Sequence, residues 1–274
     1  MSVPAKILIS GVTVVLWALT VAGGAFGHPQ TTWAPVGRPP LSDQVAAARV
    51  THMPEQKWMN ARANNYRPTD ADLRYFRTVK SAKGQTEIQF NPLNKYVDGR
   101  DRLKHPSTDD LIQWAAHKWG IPTDWLRAQT TYESWQEMTL GGDLAKVGPK
   151  WYALYPPFLR SSQGPDLVYE SIGIAQIKWL PNETVNWGAR YLRYLSTAFV
   201  LDYMGAEIRY YYDGLAKWLG PSYHAGNKWL SIGAWNMPAP WGNPEQLGYI
   251  KQVRYTVSIH PWTDPGFSAP VVRK

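Results

Sequence analysis

Apolar positions in the chain fall at helical spacing most clearly after Ser107. In LIQWAAHKW, Leu111, Ala115 and Trp119 share one helix face. The preceding Ser107-Thr108-Asp109-Asp110 reads as a capping box, with Ser107 as N-cap and Asp110 at N3. Gly120 stops that helix and Ile121-Pro122 opens the next. The second helix is expected over 123–135, with Leu126, Thr130 and Tyr132 toward the buried side. The same periodicity predicts helices over 186–203, 206–219 and 244–257. Upstream the pattern weakens to a helix over 69–79 and a strand at 87–90, after a proline-stiffened stretch, TTWAPVGRPP, expected to stay extended and unpacked. The body therefore reads as mainly α, with no internal repeat.

The first residues follow a different pattern: Lys6 and then an uncharged apolar run from Ile7 to Phe26, ending in small residues around Ala25-Phe26-Gly27. Such a run at an N-terminus is an export signal, and at about 20 residues it also meets the length of a membrane anchor. Cleaved and anchored forms are both compatible with it. The 274 residues contain no cysteine, which removes a lipobox, disulfides, thiolate metal sites and a thiol nucleophile together. The six histidines lie apart, with no pair at metal-binding helical spacing, so neither a metal nor another cofactor is expected.

Charge and aromatic residues divide the chain. Residues 28–107 hold 13 Lys/Arg against 7 Asp/Glu, whereas residues 108–274 hold 15 against 14. For an exported chain, that basic surplus points to anionic wall polymers or membrane headgroups, not nucleic acid; a solvated linker is the plainer alternative. The second part also holds 12 of the 15 Trp and 13 of the 16 Tyr, rings that combine a flat apolar face with a polar handle suited to sugars. Trp114 and Trp119 are at core spacing. The rings nearer the candidate chemistry are Tyr132, Trp135, Trp179, Trp235 and Trp241.

Glu133, in TTYESWQ, is the first candidate for that chemistry. A carboxyl at the end of an apolar helix, between Tyr132 and Trp135, is driven toward its neutral form by desolvation, as a general acid at neutral pH requires. Downstream, ESIGIAQIKW puts Ser171, Gly173 and Gln176 in a small-residue stretch expected between a loop and a helix, and the Gln176 amide offers both a donor and an acceptor to an N-acetyl group. Close helix packing at Gly173 is the alternative reading. Tyr169 stands where a nucleophile elbow needs its first Gly, so a serine hydrolase is not supported.

Five blocks occur in one order: Glu133-Ser134; Gly173-Ile174-Ala175-Gln176; Asn186-Trp187-Gly188-Ala189-Arg190-Tyr191-Leu192; Ala234-Trp235-Asn236; and Tyr249-Ile250-Lys251-Gln252-Val253. Together they resemble the lytic transglycosylases and goose-type lysozymes of the lysozyme-like superfamily. LIQWAAHKWGI and ESIGIAQ are also similar to the corresponding helix and loop of exported, actinobacterial-type transglycosylases. The resemblance covers residues 95–260. It implies a lysozyme-like helical domain with a substrate cleft, acting on peptidoglycan strands of alternating N-acetylmuramic acid and N-acetylglucosamine. By the same resemblance Glu133 matches the catalytic acid, Gln176 a cleft-lining residue, Asn236 the polar member of an Ala-Tyr-Asn element, and Tyr249 the tyrosine that orients the acid. Trp235 and Ala175 depart from the usual Tyr and Met or Leu, and the long segment 135–168, with Gly141-Gly142, Gly148-Pro149 and Pro156-Pro157, is expected to form a cleft-side loop.

The expected organisation is thus a signal peptide or anchor at 1–27, a basic tether or accessory segment at 28–94, the lysozyme-like domain at 95–260 and a tail at 261–274. The expected substrate contacts are Gln176, Tyr132, Trp135, Gly173, Trp235, Asn236 and Tyr249. Glu133 alone suffices for a lyase, in which the sugar's own C6 hydroxyl closes a 1,6-anhydro ring; a hydrolytic muramidase benefits from a second carboxylate, for which Glu170, Asp166 and Asp143 are the candidates. A non-catalytic wall-binding module of the same fold is the alternative from another class, and an anchored structural protein binding a partner through residues 41–105 is a third.

Overall fold

The structure, a computed structural model, describes residues 30–180 and 186–269; the expected export run at 1–27 lies outside the described residues. In chain order the helices are α1 (Asp43–Ala47), α2 (Ala61–Asn64), α3 (Asp70–Thr78), α4 (Glu87–Phe90), α5 (Thr108–Trp119), α6 (Thr123–Ser134), α7 (Pro149–Tyr152), α8 (Leu192–Leu195), α9 (Thr197–Tyr212), α10 (Lys228–Asn236) and α11 (Pro244–Ile259). Four short strands, β1 (Leu144–Lys146), β2 (Leu167–Tyr169), β3 (Ser171–Ile172) and β4 (Ile177–Lys178), complete a mainly helical protein. No helix among the described residues is long and apolar enough to cross a membrane.

The frame is α9, buried along its whole length and packed by α5 and α10. Gly205 in its middle allows the contact with α5, because a Cβ there would run into the indole of Trp119. Below that contact Asp202 accepts from Trp119 Nε1 at 2.8 Å and from the buried Lys118 Nζ at 2.7 Å. Lys118 also meets Asp43 at 2.7 Å and Asp98 at 3.7 Å, so α1, α5, α9 and the Asp98 loop share one buried charge cluster. α6 packs on α11 and on α5, and α10 packs on both α9 and α11.

The caps of α5 form as expected, whereas Pro122, expected to be the first residue of the next helix, stands just outside α6 as its N-cap. Ser107 Oγ accepts from Asp110 N at 3.1 Å, Asp110 Oδ2 accepts from Ser107 N at 3.1 Å, and Gly120 ends α5 in the left-handed region at φ 63°. Four other expectations are corrected. Residues 87–90 are helix, because Thr86 and Gln89 form a reciprocal capping box that outweighs the strand-like EIQF. The two helices expected over 186–203 and 206–219 become a break at Ser196 followed by the continuous α9. Ser196 is extended and caps α9 through Phe199 N at 3.2 Å, while Gly205 and its flanks are helical. Tyr132 is 45% exposed, not turned inward.

The proline-rich stretch packs. Its free carbonyls supply what buried donors lack: Arg209 donates to Ala34 O at 3.1 Å and to Pro35 O at 3.0 Å, while Ala34 N and Leu41 N satisfy carbonyls of Gly120 and Lys118 in the last turn of α5. Trp33 lies edge-on to Trp125 with ring centroids 5.3 Å apart. One apolar core cluster accordingly draws residues from Ala46 to Phe267, across the boundaries at 94 and 260 suggested by charge and resemblance.

Candidate active site

Glu133 stands at the end of α6. The helix stops there because Trp135 and Gln136 adopt left-handed backbone, φ 55° and 62°, and turn their amides back to Thr131 O at 2.8 Å and Thr130 O at 3.1 Å. Ser134 Oγ donates to Ile174 O at 3.1 Å and fastens the helix end to the β3–β4 hairpin. Glu133 instead meets α10 and α11. Its Oε1 accepts from Tyr249 Oη at 2.6 Å and from Trp235 Nε1 at 3.0 Å, which leaves Oε2 without a protein donor among the described residues. Tyr132 stands edge-on to the buried Tyr249 ring, centroids 5.3 Å apart.

Burial pushes the half-buried Glu133 carboxyl up to about 7, against the downward pull of the Tyr249 and Trp235 hydrogen bonds. Asp143 pushes in the same direction as burial, and the cation of Lys178 pulls the other way. Burial, followed by the Glu133 charge, holds the Tyr249 hydroxyl well above its ordinary pKa, so it remains a donor. The resulting carboxyl is poised near neutrality and held through one oxygen.

The stretch expected between a loop and a helix is a β-hairpin. Ladders join 144–146 to 167–169 and 171–172 to 177–178, antiparallel, with Gly141 opposite Ile172 continuing the first. The turn needs Gly173: its φ is +82°, and a Cβ there would press on Arg193 O at 2.7 Å. Gln176, at φ 48°, spends its amide within this frame. Its Nε2 donates to Leu140 O and Gly173 O, both at 2.9 Å, and its Oε1 accepts from Ser171 Oγ at 3.0 Å. Gly142 gives the Gln176 side chain its space, since a Cβ there would overlap it.

The hairpin carries two of the three candidate second carboxylates. Lys178 Nζ bridges Asp143 Oδ2 at 2.7 Å and Glu170 Oε1 at 3.2 Å, and Asp143 is the carboxylate whose charge reaches Glu133. Asp166 lies at the far end of the β1–β2 ladder, four residues from Glu170, roughly 13 Å along a strand.

The expected residues therefore separate into groups. Glu133, Tyr249, Trp235 and Tyr132 come together. Gln176 and Gly173 shape the neighbouring hairpin and make no bond to Glu133. Trp135 packs on Phe267, ring centroids 5.0 Å apart, beneath the Lys57 ammonium, and Asn236 is the exposed last residue of α10. Lys178 was missed by sequence reasoning, and Ser134 was named only as the second residue of the Glu133 block, without its bond to Ile174 O. Lys178 had only its place two residues after Gln176 as a signal, and Ser134 had none beyond adjacency to Glu133.

Asp43, Asp98 and Asp202 bring three carboxylates close enough to hold a cation, but the Lys118 ammonium already stands among them. Set against family models, curated proteins and solved structures, the chain finds no match in any of the three.

Proposed function

We propose that this chain is an exported, lysozyme-like lytic transglycosylase that cleaves the glycosidic bond between N-acetylmuramic acid and N-acetylglucosamine in peptidoglycan, with Glu133 as its acid and base. One observation carries the reading: a carboxyl raised to about 7, with both of its donors, Tyr249 and Trp235, on Oε1. In the protonated acid the donors favour Oε1 as the carbonyl oxygen, which leaves the proton on Oε2. That proton goes to the bridging oxygen as the C1–O bond breaks, and positive charge develops at the muramic anomeric carbon. The Glu133 carboxylate then takes the proton of the C6 hydroxyl as its oxygen bonds to C1. The products are a 1,6-anhydro-muramic end and a free N-acetylglucosamine hydroxyl, with Glu133 protonated again.

A hydrolytic muramidase is the second reading, favoured by Asp143 within electrostatic reach of Glu133. The Asp143–Lys178 ion pair at 2.7 Å supports the lyase instead, because the Asp143 oxygen that would take up a water proton is already held by an ammonium. Glycan strands are the proposed partner, and the apolar run at 7–26 is the proposed export signal. A wall-binding module without activity is the remaining alternative.

The test is clearing of purified wall sacculi, followed as turbidity. Wild type is expected to clear them, and Glu133→Gln is expected to abolish clearing while far-ultraviolet circular dichroism stays unchanged. Clearing by the Gln variant removes Glu133 as the acid.

A further inference from the structure

β1 and the excursion that follows it, residues 144–165, are not used by the Glu133 chemistry. This segment holds three cations (Lys146, Lys150 and Arg160) and an apolar exterior, with Asp143 and Asp166 at its two ends. Leu154 is 56% exposed, Phe158 58% and Trp151 36%, and Tyr191 from the segment before α8 adds 41% on the same side. Leu154 and Tyr191 line one shallow dent with Trp179 and Arg190, and the Phe158 ring meets Tyr194 at 5.2 Å. Trp151 lies one turn from Leu154, joined by Leu154 N to Trp151 O at 2.9 Å.

This exterior is held out by structure beneath it. Val147, Tyr155, Leu159, Val168, Ile172 and Trp179 form a small core of their own. Arg160 braces the excursion from inside, donating to Tyr155 O at 2.9 Å and Ala153 O at 3.1 Å while lying over the Tyr152 ring. Arg190 stacks at 4.3 Å on Trp179 and 4.6 Å on Tyr191. The large apolar side chains outside that core are therefore in water on a braced scaffold, which is a feature of interaction surfaces.

We infer that residues 144–165, with Arg190 and Tyr191, form a docking face for an anionic lipid surface, into which Trp151, Leu154 and Phe158 dip. Charge and chemistry choose this occupant. Aliphatic and aromatic side chains with the exposed Lys146 and Lys150 among them, and with acids only at the two ends of the segment, match the interface of an anionic bilayer, where rings settle at headgroup depth and Lys reaches phosphate. An exposed Leu154 adds nothing to sugar recognition, which uses ring faces flanked by hydrogen-bonding groups. The inference does not depend on Glu133 or on glycan cleavage.

Because the chain has no cysteine, Leu154→Cys in the full-length protein carries one environment-sensitive fluorophore at a single known position. Leu247→Cys on α11, also exposed, serves as the control. With phosphatidylglycerol vesicles the 154 probe is expected to shift to the blue and lose quenching by neutral acrylamide, and high salt to reverse both changes. The 247 probe does not respond. Phe158→Cys, labelled in the same way, repeats the result if the first label disturbs the excursion. The reading is local, so attachment of the N-terminal apolar run to the same vesicles leaves it interpretable. The inference is overturned if both the 154 and 158 probes stay in water with anionic vesicles, if they respond equally to phosphatidylcholine, or if they respond to purified sacculi instead of lipid.

Discussion

At Glu133 two donors, Tyr249 and Trp235, favour the ionised carboxyl, while burial and Asp143 favour the protonated one, and the balance lies at about 7. Each partner therefore has a definite sign. Removing a donor raises the pKa and extends the protonated acid to higher pH; removing the Asp143 charge lowers it. Tyr249→Phe is expected to move the alkaline limb of the pH–rate profile upward and, by loosening the acid's aim, to lower kcat by roughly tenfold to a hundredfold. Asp143→Asn is expected to move the same limb downward. Limbs that stay in place in both variants contradict the assignment of these groups as Glu133's partners.

The helices around the site were legible where caps and periodicity agreed, as at Ser107 and Gly120. They were misread where a local signal had a second meaning. Gly205 fell between two predicted helices but lies inside α9, because the Trp119 indole requires a residue without Cβ there. Glu133 and Tyr249 were legible as a pair only through the order of blocks, since 116 residues separate them and no spacing rule reaches that far. Lys178 was not legible, because its value lies in two ion pairs that exist only once β1, β2 and β4 have assembled. At this scale Gly205→Ala is the informative substitution. Its Cβ has no room against an indole fixed by Asp202, so a loss of about 1–3 kcal/mol is expected in chemical denaturation, although Ala is the better helix former. A more stable variant contradicts the account of α9 against α5.

Across the whole molecule, buried acids make stability depend on pH. Glu87 in α4 accepts from Gly188 N at 2.7 Å and Tyr203 Oη at 3.2 Å, Glu207 in α9 accepts from Asn91 Nδ2 at 2.8 Å, and Asn94 reaches both carboxyls. Burial pushes Glu87 up to about 8 and Glu207 to about 7, from ordinary values of 4.5. The folded state thus binds protons more tightly than the unfolded chain. That stabilisation is complete below about pH 4.5 and is lost as pH rises through 7 and 8. Glu87→Gln removes one titration, so its Tm is expected to fall less than that of wild type between pH 5 and 8, by about 2–4 °C for each kcal/mol recovered. Parallel curves would show that the network does not titrate in this range. The central claim concerns the bond cleaved and the group that cleaves it, and the mass spectrum of the fragments released from purified sacculi tests it most directly. The account predicts 1,6-anhydro-muramic ends, one water lighter than hydrolytic products, from wild type and none from Glu133→Gln; reducing muramic ends, or release of the same fragments by the variant, would contradict it.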